Sequence, residues 1–411
     1  MQAKNIFFLA AILTLVYSTG CANNNTAPVV NNNTDTSGLP PVETKSPNSN
    51  YKPAFVGQTR IAGVKTTTPY KVEKIAEKLG PPFAIAAMPD GRLMITIKSG
   101  YMEIHDANGK LVKKITGLPD VVFAGQGGLL DVAFDPNFVS NKIMYWSYSE
   151  AYHGGNATAV AKAKLNEASG KVENVSVIFH GTPTNSNLQY GSRLVFDKSG
   201  NLFVSIGEKF ATESRVKAQT LDTYLGKIIK ITTDGKPAAG NPFLNKQGDM
   251  PEIFSYGHRN PEGLDINPAT GELWESEFGP RGGDEINIIR AGKNYGWPVI
   301  TYGREYSGEQ VGDGIQQKAG MEQPVYYWDP VISPSGICFY KGDAIPEWKN
   351  NLFVSSLSGQ HLDRLVIKNN KVVGEERLLA DKNSRIRDVT YMNNMLYAIT
   401  DDGDIYRISK K

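Results

Sequence analysis

Three stretches of this chain combine charged side chains with glycine in a way that plain strand connectors do not need. The first is Glu277-Phe278-Gly279-Pro280-Arg281-Gly282-Gly283-Asp284-Glu285-Ile286-Asn287. Glycines let carbonyls turn inward, Pro280 fixes φ and offers a carbonyl without a donor, and Asp284 and Glu285 add negative charge. Mixed carbonyl and carboxylate oxygens are the ligands a hard cation such as Ca²⁺ takes; solvated acids on a long surface loop are the alternative. The second is Ser255-Tyr256-Gly257-His258-Arg259-Asn260-Pro261-Glu262-Gly263. Arg259 beside Asn260 at the start of a hairpin presents a fork of donors to carbonyl or carboxylate oxygens, unless it forms an ion pair between neighbouring units. The third is Ser384-Arg385-Ile386-Arg387-Asp388. Strand alternation puts Arg385 and Arg387 on one face, with Ile386 and Asp388 on the other. Two like charges side by side favour an anion or acids between them; two solvated arginines are the alternative.

The elements that must hold these loops recur from about residue 70 onward: apolar strand, turn residues, apolar strand. Phe83-Ala84-Ile85-Ala86 is followed by Pro89-Asp90-Gly91 and then Leu93-Met94-Ile95-Thr96-Ile97. Further copies begin at Leu130, Arg193, Gly263, Gly336 and Arg387. Paired strands bounded by Asp, Asn, Pro and Gly are hairpins. Six of them, with hardly a long helix between, predict an all-β repeat array. Intervening stretches such as Tyr101-Met102-Glu103-Ile104 and Lys227-Ile228-Ile229-Lys230-Ile231 supply outer strands. The expected architecture is a six-bladed β-propeller of four-stranded antiparallel blades. A sandwich or a parallel β-helix fits less well, because the copies are long and uneven. The stretch Lys71-Val72-Glu73-Lys74-Ile75 is expected to pair with the last blade and close the ring.

Composition narrows the functional classes. The 411 residues carry a net charge of +2, with 40 % hydrophobic and 21 % charged residues. With no Lys/Arg-rich run, nucleic-acid binding has no electrostatic basis. The two cysteines, Cys21 and Cys338, make neither a disulfide framework nor a zinc module.

The N-terminus reads as an address. Lys4 precedes an apolar run from Ile6 to Val16, too short for the ~20 residues a bilayer span needs, and small residues follow, as in a secretory signal. Ser18-Thr19-Gly20-Cys21 resembles the lipobox of bacterial lipoproteins, with Ser18 where an aliphatic residue is usual. The expected organisation is a signal over 1–20, lipidation at Cys21, a disordered polar tether over 21–50 and the propeller over 51–411; a plain secretory signal is the alternative. The protein is then exported, periplasmic or at the cell surface, touching a membrane only through its lipid. Cys338, between Ile337 and Phe339, reads as a small buried hydrophobe.

The motifs Gly125-Gln126-Gly127-Gly128-Leu129-Leu130-Asp131, Gly191-Ser192-Arg193-Leu194, Tyr256-Gly257-His258-Arg259-Asn260-Pro261, Gly279-Pro280 through Asn287, Asn294-Tyr295-Gly296-Trp297-Pro298 and Arg385-Ile386-Arg387-Asp388-Val389 resemble, in order, the soluble glucose/sorbosone dehydrogenases. Those most similar are bacterial aldose sugar dehydrogenases that use pyrroloquinoline quinone (PQQ). The resemblance implies a six-bladed propeller that oxidises an aldose at its anomeric carbon and passes electrons to an acceptor it leaves unidentified. It implies Ca²⁺ held partly by the carbonyls of Gly279 and Pro280, with Asp284 and Glu285 in the adjacent cation region. It places Arg259 and Asn260 at the quinone, Gln126 among the cofactor-binding residues, and Arg385 and Arg387 opposite the cofactor's carboxylates. Tyr295 and Trp297 border the site or are simply packed aromatics.

Two positions depart from the family. Gln189 stands where a histidine takes the proton from the sugar's anomeric hydroxyl, and a neutral amide accepts no proton near neutral pH. General-base catalysis contributes roughly 10²–10⁴ in rate. Ser358 stands where a cofactor-facing lysine is common. Glu208 matches an acidic position near the site and is the candidate replacement base; His180 lies beyond a Gly-Thr-Pro break. Two readings follow: a PQQ-dependent sugar dehydrogenase with an altered base, or a non-catalytic propeller that binds a glycan, a small molecule or a protein.

Overall fold

A computed structural model describes residues 38–411; the apolar run, Cys21 and most of the expected tether lie outside the described residues. These form six four-stranded antiparallel sheets. Their inner strands are Pro82–Ala87, Leu129–Phe134, Gly191–Phe196, Pro261–Ile266, Pro334–Phe339 and Ile386–Met392, which open blades 1 to 6. Each packs against the inner strand of the next blade, and the sixth against the first, so the ring is closed. The sixth blade takes its outermost strand, Tyr70–Ala76, from the N-terminal side; Val72 pairs with Ile408. This is the closure expected from residues 71–75, and it covers an edge that would otherwise stay unpaired.

The apolar residues of each blade meet those of the next. Met94, Ile104 and Trp146 join blades 1 and 2, Val204 and Tyr145 join 2 and 3, and Phe203 and Leu273 join 3 and 4. Trp274 and Phe339 join 4 and 5, Trp348 and Leu396 join 5 and 6, and Ile399 and Ile95 close the circle. Cys338 is buried in one such layer, as expected.

Every inner strand breaks register with its neighbour near its start, at Pro82/Ile85, Leu129/Val132, Gly191/Leu194, Pro261/Gly263, Pro334/Ile337 and Ile386/Asp388. Such bulges bend a strand and re-aim its side chains. Hydroxyls from the second strands serve the freed backbone. Ser205 Oγ accepts the Arg193 N–H (3.0 Å) and donates to Pro261 O of the next blade (2.8 Å); Ser147 does the same between Asp131 and Ser192. The bulges turn Asp131, Arg193 and Asp388 toward the axis. There the buried Arg193 guanidinium lies 3.0 Å from Asp388, 3.6 Å from Asp131 and 4.8 Å above the Phe83 ring.

One expectation is corrected. Residues 38–50, within the stretch expected to be disordered, are fastened to blades 4 and 5. Leu39 bridges Gly63, which in turn bridges Glu375. The Asn48 and Ser49 amides donate to the Asp329 carboxylate (2.7 and 3.0 Å), and Glu43 pairs with Arg377 at 2.9 Å. Backbone hydrogen bonds, the Asp329 carboxylate and the Glu43–Arg377 ion pair, rather than apolar burial, hold this segment, which is why its polar composition misled.

A chain starting at residue 77 lacks the closing strand. Its melting temperature should fall by on the order of 5–10 °C, given how stability changes map to Tm in larger domains. A scanning-calorimetry midpoint unchanged from the full chain would contradict closure.

Candidate functional site

The loops that lead into the inner strands collect on one face of the ring, and hydrogen bonds link them blade to blade. Lys98 of blade 1 accepts the Leu129 N–H at its carbonyl (2.9 Å), and its Nζ reaches Gly125 O (3.4 Å). Gln126 Oε1 accepts the Gln189 N–H (2.6 Å), and Asn187 O accepts the Gln126 N–H (2.8 Å). Asn260 Oδ1 accepts the Gly191 N–H (3.0 Å) and its Nδ2 donates to Glu262 (2.9 Å). Asn260 is fully buried, and it fixes blade 3 to blade 4 rather than offering a free amide.

Arg259 is 3 % exposed. Its N–H donates to Glu277 (2.6 Å), and its guanidinium donates to the carbonyls of Gly279 (2.7 Å) and Phe278 (3.1 Å). The guanidinium carbon lies 5.2 Å from the Trp297 ring and 5.8 Å from the Phe210 ring. Asp284, proposed from sequence as part of a cation region, is turned to the backbone. One oxygen accepts the Gly279 N–H (2.8 Å), the other the Ile332 and Ser333 N–H groups (both 2.7 Å). Burial pushes its carboxyl up to about 7 despite these three donors. Asp284 therefore clamps the glycine-rich loop to blade 5.

The arginine pair has an acid between its members. Asp401 accepts from Arg385 Nε and Arg387 Nε, both at 2.7 Å. Glu262 lies 3.4 Å from Arg387, and Asp388 pairs with Arg193 instead (3.0 Å), the bulge at Ile386/Asp388 replacing the simple alternation expected there. Burial alone would raise Asp401; Arg387 and Arg385 bring it below the ordinary carboxylate range. Lys98 belongs to the same patch, its amine lowered by burial and by Arg387.

The loop after the second strand of blade 3 is the most constrained part of the face. Lys209 (φ +71°) and Phe210 (φ +63°) both take the left-handed region, and so does Gln189 (φ +48°). Non-glycine residues there store strain that is common at functional sites. Gly207 packs so close to Gln189 O and Asn260 Oδ1 that a Cβ has no room. Glu208 is fully buried; its N–H donates to Arg259 O (2.9 Å), and one carboxylate oxygen accepts from Phe210 N (3.0 Å) and Ser214 Oγ (3.2 Å). Burial raises its pKa, with Arg259 and Arg215 opposing. Lys209 Nζ donates to Asn156 Oδ1 (3.0 Å) and lies 3.0 Å from the Tyr190 ring centroid. Burial pushes its amine down to about 6. Among the described residues, Gln189 Oε1, Glu208 Oε1, Arg259 Nε and Trp297 Nε1 are buried without a hydrogen-bond partner. Buried polar atoms are rarely left so, and these four share one face.

A profile of the family described as Glucose / Sorbosone dehydrogenase matches residues 79–407. The chain belongs to the glucose/sorbosone dehydrogenase family. It is 40 % identical to the aldose sugar dehydrogenase YliI of Escherichia coli (strain K12) over 347 residues, 83 % of this chain and 93 % of that one. It is similar to the apo-form crystal structure of the soluble aldose sugar dehydrogenase from Escherichia coli (TM-score 0.79, 39 % identity), which covers 83 % of this chain and 100 % of the other. It is also similar to the PQQ-bound form of the aldose sugar dehydrogenase from Streptomyces coelicolor (TM-score 0.70, 26 % identity, covering 84 % and 99 %).

In this member of the family, the structure gathers Gln126, Gln189, Glu208, Arg259, Asn260 and Gly279 through direct contacts. Arg385 and Arg387 come to the same axis from blade 6. Ser358 Oγ lies 2.8 Å from Ser333 Oγ, beside the backbone that Asp284 clamps. Tyr295 is a packed aromatic: it stacks on His258 at 4.7 Å and its hydroxyl donates to Ile288 O (2.6 Å). Trp297 borders Arg259. His180 pairs with Glu150 on the outer part of blade 2 and stacks on Tyr152. Sequence reasoning missed Asp401, Glu262, Lys98 and Lys209. Only Asp401 left a trace, since two same-face arginines called for an acid.

Lys209 gives a signed pH test. Its pKa of about 6 in the folded chain lies below the ~10.4 of an unfolded lysine. Between those values the unfolded state binds more protons, so this residue's contribution makes stability rise with pH. The Tm of Lys209→Met relative to wild type should therefore be highest near pH 7 and fall toward pH 10. An offset equal at both pH values would show a charged lysine in the fold.

Proposed function

We propose that this protein oxidises an aldose at its anomeric carbon, with PQQ as the bound oxidant. The observation that carries this is the cluster of unpaired buried polar atoms on a face rimmed by Arg259, Lys98, Arg385 and Arg387. That chemistry suits a planar polycarboxylate. When bound, PQQ supplies a two-electron acceptor for hydride from the sugar carbon. The chain's residues supply the rest. Arg259 brings positive charge beside that acceptor, Trp297 and Phe210 flank the guanidinium, and Asn260 and Gln126 hold the loops in register. Arg385, Arg387 and Lys98 meet carboxylates. Calcium at the carbonyls of Gly279 and Pro280, with Glu285 nearby, belongs to the same reading; it asks Arg259 to release Gly279 O.

Gln189 orients a sugar hydroxyl through its amide but takes no proton. Glu208 is the acceptor we assign, at its unpaired Oε1, because burial raises its basicity while Arg259 and Arg215 keep its charge supported. We further infer that the chain is exported and lipid-anchored through Cys21, so that electrons leave to an acceptor outside the cytoplasm. The second reading, a non-catalytic binding propeller, is favoured by Gln189 and Ser358 alone.

Dye reduction with PQQ- and CaCl₂-reconstituted protein and a panel of aldoses tests the proposal. Turnover is expected. Gln189→His should raise kcat/KM at neutral pH, and Glu208→Gln should lower kcat by roughly 10²–10⁴ and remove the acid limb of the wild-type pH profile. No turnover, together with no quinone absorbance retained after desalting, would leave only the binding reading.

A further inference from the structure

Blade 4 carries a second set of ligating groups, away from the loop carbonyls. Glu275 and Glu277 alternate on one strand and so share a face. Their partners across the sheet are Asn287 and Glu285. The Asn287 amide nitrogen lies within hydrogen-bond distance of all three carboxylates, at 3.1, 3.3 and 3.2 Å from Glu275, Glu277 and Glu285. An amide has two hydrogens, so one carboxylate is always short of a donor. Glu277 and Glu285 stand directly opposite, a destabilising arrangement for like charges. Glu275 is fully buried and its Oε1 has no partner.

One more group closes the cluster. His258, fully buried, points Nδ1 at Glu277 (3.3 Å) while its Nε2 meets Ser255 Oγ (2.9 Å). A metal-ligating histidine is oriented by a hydrogen bond at its other ring nitrogen, and Ser255 Oγ gives His258 Nε2 such a bond. One ligand atom each from His258, Glu275 and Glu277 lies within 4.8 Å of the others. A small inward movement of these side chains brings all three atoms to metal–ligand bonds of about 2.0–2.2 Å.

We propose that His258, Glu275 and Glu277 hold a divalent first-row metal ion inside blade 4, distinct from the calcium read at the loop carbonyls. Imidazole with carboxylates suits Zn²⁺ or Mn²⁺ better than Ca²⁺. The ion neutralises the carboxylates that Asn287 cannot serve. Because Glu277 also accepts the Arg259 N–H, the ion stiffens the loop between Ile253–Tyr256 and Pro261–Ile266 on which Arg259 sits. The inference stands independently of which ligand the loop face takes.

The test uses the full chain, purified without chelator and assayed by inductively coupled plasma mass spectrometry. About one Zn or Mn per chain is expected. After EDTA dialysis, ZnCl₂ or MnCl₂ should raise the melting temperature of wild type by several degrees, and Glu275→Gln and His258→Gln should lose both the metal and the response. A wild-type chain with no first-row metal and no thermal response to either salt would overturn the proposal, whether or not the variants fold. Calcium alone, at equal content in wild type and Glu275→Gln, would overturn it as well.

Discussion

A single buried guanidinium ties most of the ring together. Arg193 projects from the inner strand of blade 3, donates to Glu262 O in blade 4, pairs with Asp388 in blade 6 and Asp131 in blade 2, and covers Phe83 in blade 1. Removing one partner of such a buried pair costs about 3–5 kcal/mol, because the other charge is left unserved. Its two acids are themselves held by backbone amides: Asp131 by Leu194 and Asp388 by Ile85. Charge at the hub is thus matched on every side, which is what lets an otherwise apolar ring carry ions at its axis.

The loop face inherits its geometry from that hub. The same bulges that deliver Arg193 to the axis set the start of each inner strand, and the polar residues leading into those strands must follow. Hence Gln126, Gln189, Asn260 and the glycine-rich loop after Glu277 meet by hydrogen bonds that cross blade boundaries. What the face leaves unpaired is as informative as what it pairs. The hub is satisfied apart from one guanidinium nitrogen, whereas the loop face keeps several buried polar atoms without partners beside strained backbone at Gln189, Lys209 and Phe210. Four of these atoms, on Gln189, Glu208, Arg259 and Trp297, belong to the loops of this one face, where a polar ligand would complete them.

The fold was legible because each blade repeats one pattern of apolar strands and turn residues, and closure followed from a stray strand-like segment ahead of the first copy. The loop residues were legible by type but not by partner. Arg385 and Arg387 were seen, yet Asp401 lies fourteen residues or more along the chain, and only the pairing of blade 6 brings it between them. Asp284 looked like a ligand by charge, while its three backbone donors come from folding of the loop and of blade 5. Lys209 left no signal, since nothing local distinguishes a buried lysine from a solvated one. The tether was misjudged over residues 38–50 because composition weighs apolar burial and overlooks amides that find a distant carboxylate such as Asp329.

The central claim is that the loop face, with its cations and unpaired polar atoms, takes a planar polycarboxylate quinone. A crystal structure of the protein grown with PQQ and CaCl₂ tests it most directly. The account predicts the cofactor in contact with Arg259 and Arg387, with the Arg259 guanidinium withdrawn from Gly279 O. A loop face that holds no cofactor, with Arg259 still donating to Gly279 O, would contradict it.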